Sequence, residues 1–174
     1  MTTVWLEGLP DGDTDWDRFA AAWPVPFASL AAVVQQAWDA TDPVVLELCR
    51  LRMATLLDAP VEVARRTERA CAAGLDEAKI ADLPAWPSSP SFDARERACL
   101  ALAEQFVIDA NTVTDEQVAE VTRHLGAEGC YAFVQALSAI ETFQRACLTL
   151  GIATLPDLDH LGASRPDQSQ EATS

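Results

Sequence analysis

Three stretches of the chain carry acidic, amide and guanidinium groups where apolar packing would not ask for them. In the first, Glu47 stands between Leu46 and Leu48, with Arg50 and Arg52 close behind. In the second, Glu62, Arg65, Arg66, Glu68 and Arg69 crowd together. In the third, Glu141, Gln144 and Arg145 interrupt the apolar stripe of Cys130, Phe133, Val134, Leu137, Ile140 and Leu148. Such groups support two kinds of chemistry. A carboxylate can move a proton as a general base, and a guanidinium fork can hold an anion. The plainer alternative is solvated helix faces, and Glu62 precedes Arg66 by the four residues that favour a surface ion pair. That alternative suits Arg65, Glu68 and Arg69 best. It is weakest for Glu47 and Arg145, because a charge among apolar neighbours is costly unless paired, and a buried pair is a site candidate.

Thiols and imidazoles offer less. Cys49, Cys71, Cys99, Cys130 and Cys147 are widely spaced, no Cys-x-x-Cys occurs, and His124 and His160 lie far apart. This argues against a zinc site and against a disulfide framework. All five cysteines fall in helical stretches, where the simplest reading is a small buried hydrophobe. No metal or cofactor is expected.

The elements that must position these groups are helices. A first short helix is predicted over 13–22, stopped by Trp23-Pro24-Val25-Pro26. A second runs over 27–40, with Leu30, Val33, Val34, Ala37 and Trp38 at helical spacing. Asp42 caps a third, with Pro43 at its first position, that ends near Asp58. A fourth is expected from Pro60 to Ala73, with Gly74 just past its end, and a short one over 76–82. The three prolines of 83–91 make a loop that divides the chain into two helical halves. Asp93 with Glu96, and Thr114 with Gln117, read as capping boxes for helices ending near Asp109 and Gly126. The last helix covers 127–150 and stops at Gly151.

The expected fold is therefore all-α, a single-domain helical bundle of six to eight helices. We divide it into an N-terminal segment (1–26), a helical domain (27–160) and a disordered polar tail (161–174). At 174 residues the chain is long enough to bury a core without a metal or disulfide staple. A composition 49% hydrophobic excludes a disordered chain, and no apolar run reaches the length of a membrane span. The net charge of −15, with Lys79 the only lysine, argues against nucleic acid and anionic membrane as partners. The start Met1 to Asp11 has neither the basic residues nor the apolar core of a signal peptide, so the expected compartment is the cytoplasm.

The stretch Glu47-Leu48-Cys49-Arg50-Leu51-Arg52-Met53-Ala54 resembles the helix before the active site in the alkylhydroperoxidase D-like, carboxymuconolactone decarboxylase-like family. Further pieces fit in order: Ala72 to Glu77, Leu83 to Trp86 followed by Phe92 to Ala98, Val113 to Glu116, and Ile140 to Arg145. The resemblance spans residues 27 to 152. The family's redox members carry Cys-x-x-Cys-x-x-x-His at the start of the fourth helix, with a relay glutamate ahead of it. That chemistry needs a thiolate at a helix N-terminus and a resolving thiol one turn on. In this register Ala59 stands at the first cysteine, Glu62 at the second and Arg66 at the histidine, while Glu47 matches the relay glutamate. Neither thiol remains, so the dithiol route to peroxide reduction is closed. The last helix keeps the family's aromatic and arginine as Phe143 and Arg145, but Glu141 and Gln144 replace two asparagines.

The resemblance implies one cavity around these positions. Glu47, Glu62 and Arg66 would be catalytic, and Arg145, Gln144 and Glu141 would bind substrate, a small anionic organic molecule held by arginine. One reading is a non-redox enzyme, a decarboxylase, lyase or isomerase acting on a carboxylate. A second is a non-catalytic family member that binds a ligand or a partner, and the resemblance implies a homo-oligomer. A third is a peroxidase with a relocated cysteine at Cys49. There Glu47 is two residues away and points to a different helix face.

Overall fold

The structure is a computed structural model and describes residues 7–152. Local signals account for most of the helix ends. Thr14 and Asp17 form a capping box for α1 (Asp15–Ala22). The Trp23–Pro26 segment ends α1 as expected but does not separate it from the next helix, because α2 begins at once and spans Pro24–Asp39. Pro24 and Pro26 sit in its first turn, where a backbone N–H has no partner inside the helix and its absence costs nothing. The Asp42 carboxylate accepts from the N–H groups of Val44 and Val45 at 3.0 Å and starts α3 (Pro43–Leu56).

The helix expected over 60–73 is two helices, α4 (Pro60–Ala64) and α5 (Glu68–Ala72), joined by an extended strap at Arg65–Thr67. Gly74, at φ 88°, follows the end of α5. Asp76 caps α6 (Glu77–Ala81), and a 3-10 turn at Leu83–Ala85 enters the proline loop. Asp93 and Glu96 form the capping box of α7 (Ala94–Asp109), and a second 3-10 turn follows at Ala110–Thr112. Thr114 and Gln117 box the start of α8 (Asp115–Leu150), which ends on Gly151 in the left-handed region. Among the described residues the regular structure is entirely helical. The tail expected at 161–174 lies outside them.

Gly126 lies within α8 but is not helical, at φ 74° and ψ 169°, so the expected boundary between two helices survives as a kink. That region of backbone space is open almost only to glycine. A β-carbon there would meet nothing within 4 Å, so any penalty comes from the backbone alone. Gly126→Ala is expected to lower stability by about 1–3 kcal/mol in urea unfolding. An unchanged midpoint would mean that the kink relaxes freely.

The core is built around α3, which packs on α7, α8, α4 and α5. Val45, Leu46, Leu48, Cys49, Leu51 and Met53 are all buried, so α3 is covered on nearly every side. Phe133, Leu137, Ile140 and Phe143 face it from α8, and Leu100 and Leu102 from α7. A helix buried all round leaves no solvated face for its charged residues. Glu47 and Arg50 therefore go into the interior with it.

Four cysteines are buried, as expected, but Cys71 is exposed. It lies on α5, which buries only Ala70. Burial pushes the Cys49 thiol well above its ordinary range, with Cys99 and Glu96 adding to the shift. Burial also raises the Cys99 thiol to about 12.

Candidate functional site

Arg50 is the centre of a buried ionic cluster. Its Nε donates to Glu47 Oε2 at 2.8 Å and its Nη2 to Glu47 Oε1 at 2.7 Å, a two-pronged pair one helical turn long. Its Nη1 donates to the Glu62 carbonyl at 3.0 Å and to Glu62 Oε2 at 3.1 Å. Nη2 also reaches the Arg65 carbonyl at 2.8 Å. Glu47, Arg50 and Glu62 are 2%, 1% and 2% exposed. At that depth the charges hold only because each is paired and hydrogen-bonded.

The same cluster explains why 60–73 is not one helix. Glu47 Oε1 accepts the Thr67 N–H at 3.2 Å, and Glu47 Oε2 accepts the Thr67 hydroxyl at 3.1 Å. The Arg65 carbonyl is turned to Arg50. Side chains of α3 thus take up the backbone groups of Arg65 and Thr67 that a continuous helix would have paired internally. The strap is clamped to α3 by Glu47 and Arg50. From α8, Gln144 Nε2 donates to the Arg50 carbonyl at 3.1 Å. Gln144 is fully buried, and its Oε1 has no partner among the described residues.

Glu62 also forms part of the wall of a small cavity of about 60 Å³, lined by Ala59, Val61, Glu62, Cys147, Leu148 and Ile152. That is room for about four water-sized groups. Val61 and Leu148 are large exposed apolar residues, so the cavity lies at the surface under an apolar rim. The Cys147 thiol is pushed up to about 12, first by burial and then by the charge of Glu62, while Arg65 pulls the other way. A carboxylate, a neutral thiol and a guanidinium therefore act on one small space.

The six positions expected to share a cavity separate. Glu47, Glu62 and Gln144 converge on Arg50. Glu47 is consumed by Arg50 and Thr67, and Gln144 holds backbone, so neither lines the cavity. Arg66 lies outside the cluster, since the strap turns it outward. Its Nε donates to Glu77 Oε1 at 2.9 Å and its Nη1 to the Val63 carbonyl at 2.7 Å. This hydrogen bond holds the Glu77 carboxyl below its ordinary range. Arg145 is on the surface, 2.8 Å from Glu141 in an i, i+4 pair on the outer face of α8. Arg66→Ala is expected to change stability by less than about 1 kcal/mol in urea unfolding, as befits an ion pair with an exposed partner. A loss as large as that expected for Arg50 would place Arg66 in the core.

Arg50, Thr67, Arg65 and Cys147 were not among the expected site residues. Arg50 had a usable signal, because it lies three residues after Glu47 on the same face of an otherwise apolar helix. Arg65 and Cys147 had none, since the influence of one on the other depends on the strap and on where α8 ends. Among the described residues no three of His, Cys, Asp and Glu gather as a metal site would need. No helix among them is long and apolar enough to cross a membrane.

Comparison with solved structures places the fold. A crystal structure of an Agrobacterium tumefaciens protein of unknown function, described as a candidate antioxidant defence protein AhpD, superposes with a TM-score of 0.64. It is 22% identical, and the match covers 79% of this chain and 95% of that one. No curated protein matches the sequence significantly. The architecture is thus the all-α bundle of the alkylhydroperoxidase D type. Residues 24–105 match the model of the Carboxymuconolactone decarboxylase family, so this stretch of the chain is similar to that family, and the chain carries no Cys-x-x-Cys pair.

Proposed function

We propose that this protein handles a small anionic organic molecule by non-redox chemistry in the cavity beside α4. The observation that supports this is Glu62. Its carboxylate is oriented by Arg50 and stands on the wall of a small surface cavity under an apolar rim. In this reading Glu62 is the general base. The anion-holding role expected of Arg66 and Arg145 passes to Arg65, whose charge is felt at Cys147 on the same wall. Glu47 becomes a positioning residue, because it touches Arg50 and Thr67 and not the cavity. The relocated-cysteine alternative gains no support. Cys49 is fully buried, and its raised thiol is the reverse of what a peroxidatic cysteine needs.

Two assays test the reading. With an organic hydroperoxide and excess dithiol reductant, the purified protein is expected to give no turnover above the reductant blank. Clear turnover would return the protein to thiol redox chemistry. Titration with pyruvate, followed by protein NMR, is expected to perturb residues 59–65 and 147–152 in the wild type. Arg65→Gln should weaken that binding by about tenfold or more, the value of one charge-assisted contact. Binding unchanged by Arg65→Gln, or absent in the wild type, would refute the anion assignment.

The family resemblance also carries a second reading, a homo-oligomer. Val61, Val63 and Leu148 give it a location, since all three are exposed and two of them rim the cavity. Light scattering on the wild type and Val61→Asp would test it, and a monomeric wild type would remove it.

A further inference from the structure

We infer that Cys147 is the second proton-transfer group of this cavity, the acid that complements the base Glu62 on a small carboxylate bound between them. This rests on the proposed reading and adds a reaction class to it: exchange of a proton on the carbon next to a carboxylate or 2-oxo group.

Three features of the site support the pairing. Cys147 and Glu62 line the same cavity although they are far apart in sequence, one in the last turn of α8 and one in α4. Cys147 is buried, and its thiol makes no hydrogen bond among the described residues, so the S–H is uncommitted. The two groups sense each other. The charge of Glu62 raises the thiol and that of Arg65 lowers it, with burial the largest influence, so the thiol keeps its proton at neutral pH. A thiol held protonated beside a carboxylate is a pairing suited to donating a proton to a carbanion.

The step balances without any outside reactant. Glu62 takes the proton from the substrate carbon, the C–H bond breaks, and its electron pair moves into the neighbouring carbonyl to give an enolate. Cys147 then gives its proton to that carbon, the S–H bond breaks, and its pair stays on sulfur. The proton on Glu62 returns to the thiolate through the cavity. Nothing is oxidised or reduced. The net result is exchange of a hydrogen, with inversion where the two groups meet opposite faces.

The test has a ligand-free arm and a substrate arm. In the first, iodoacetamide labelling of Cys147 is followed by peptide mass spectrometry from pH 7 to 11, so that exposed Cys71 does not interfere. Glu62→Gln is expected to speed labelling several-fold, because the charge that raises the thiol is gone. Arg65→Gln is expected to slow it. If neither variant alters the rate profile, the two groups are uncoupled and the pairing is overturned, whatever binds the cavity. In the second arm, pyruvate is incubated in D₂O and loss of its methyl proton signal is followed by NMR. The wild type is expected to catalyse exchange. Glu62→Gln and Cys147→Ala should each reduce it about 100-fold, within the range of a general acid or base.

Exchange that survives Cys147→Ala but not Glu62→Gln would show that Glu62 acts alone, which overturns this inference and leaves the anion reading standing. No exchange by the wild type also overturns it. Protection of Cys147 from iodoacetamide by pyruvate then separates the cases: protection retains the anion site, and its absence removes that as well.

Discussion

Arg50→Met is expected to destabilise the protein by about 3–5 kcal/mol in urea unfolding, the cost of breaking a buried ion pair by removing one partner. The reason is the completeness of the fork. Its five N–H groups make five hydrogen bonds, to both Glu47 oxygens, to the Glu62 carboxylate and carbonyl, and to the Arg65 carbonyl. Methionine fills much of the volume and satisfies none of them. Two carboxylates, each 2% exposed, would face each other without a cation. Lysine is expected to recover only part of the loss, because it has a charge but no planar fork.

A double-mutant comparison separates charge from packing. If the penalty is uncompensated charge, Glu47→Gln combined with Arg50→Met should cost less than the sum of the two single changes. Hydrogen exchange gives a second readout. Amides of 65–72 should lose protection in Arg50→Met before those of α7, because the strap hangs on α3. A loss below about 1 kcal/mol would mean that water reaches the cluster and that Arg50 behaves as an ordinary surface arginine.

Phe143→Ala is expected to cost about 3–5 kcal/mol, as for other large aromatic truncations in a packed interior. Phe143 is fully buried, one residue before the Gln144 that holds the Arg50 carbonyl. Its ring also meets Trp16 edge-on at 5.3 Å between centroids. That contact matters because α1 has no buried residue of its own. Trp16 and Phe19 attach α1 to the bundle, and both are only partly buried. Loss of the Phe143 ring should therefore release α1 ahead of global unfolding. Limited trypsin digestion would show it as faster cleavage after Arg18, at denaturant concentrations where the rest of the chain remains protected. If stability falls while cleavage at Arg18 is unchanged, α1 is held by contacts other than this ring.

The sequence by itself determined the helices and most of their ends. Asp42 before Pro43, Asp93 with Glu96, Thr114 with Gln117, and Gly74 and Gly151 past helix ends all act within a turn of where they stand. Caps are local hydrogen bonds, so they can be read without knowing what packs where. It also determined that no Cys-x-x-Cys pair occurs in the chain.

The tertiary structure decided which charges are inside. The sequence reading favoured Arg66 and Arg145 as site residues and set Arg65 on a solvated face, because helical spacing alone does not tell which arginine is buried. Burial of α3 on nearly every side took Arg50 into the core, while Arg145 stayed on the outer face of α8. The break between α4 and α5 was equally invisible, because Pro60 to Ala73 holds no residue that must stop a helix after Ala64. Side chains from α3 supply the hydrogen bonds that make the break affordable, and they are far away in sequence. That break brings the charge of Arg65 to bear on Cys147 and turns Arg66 out to Glu77. The grouping of these charges is thus a property of long-range packing, in which neighbouring residues of one extended strap, Arg65 and Arg66, meet different partners.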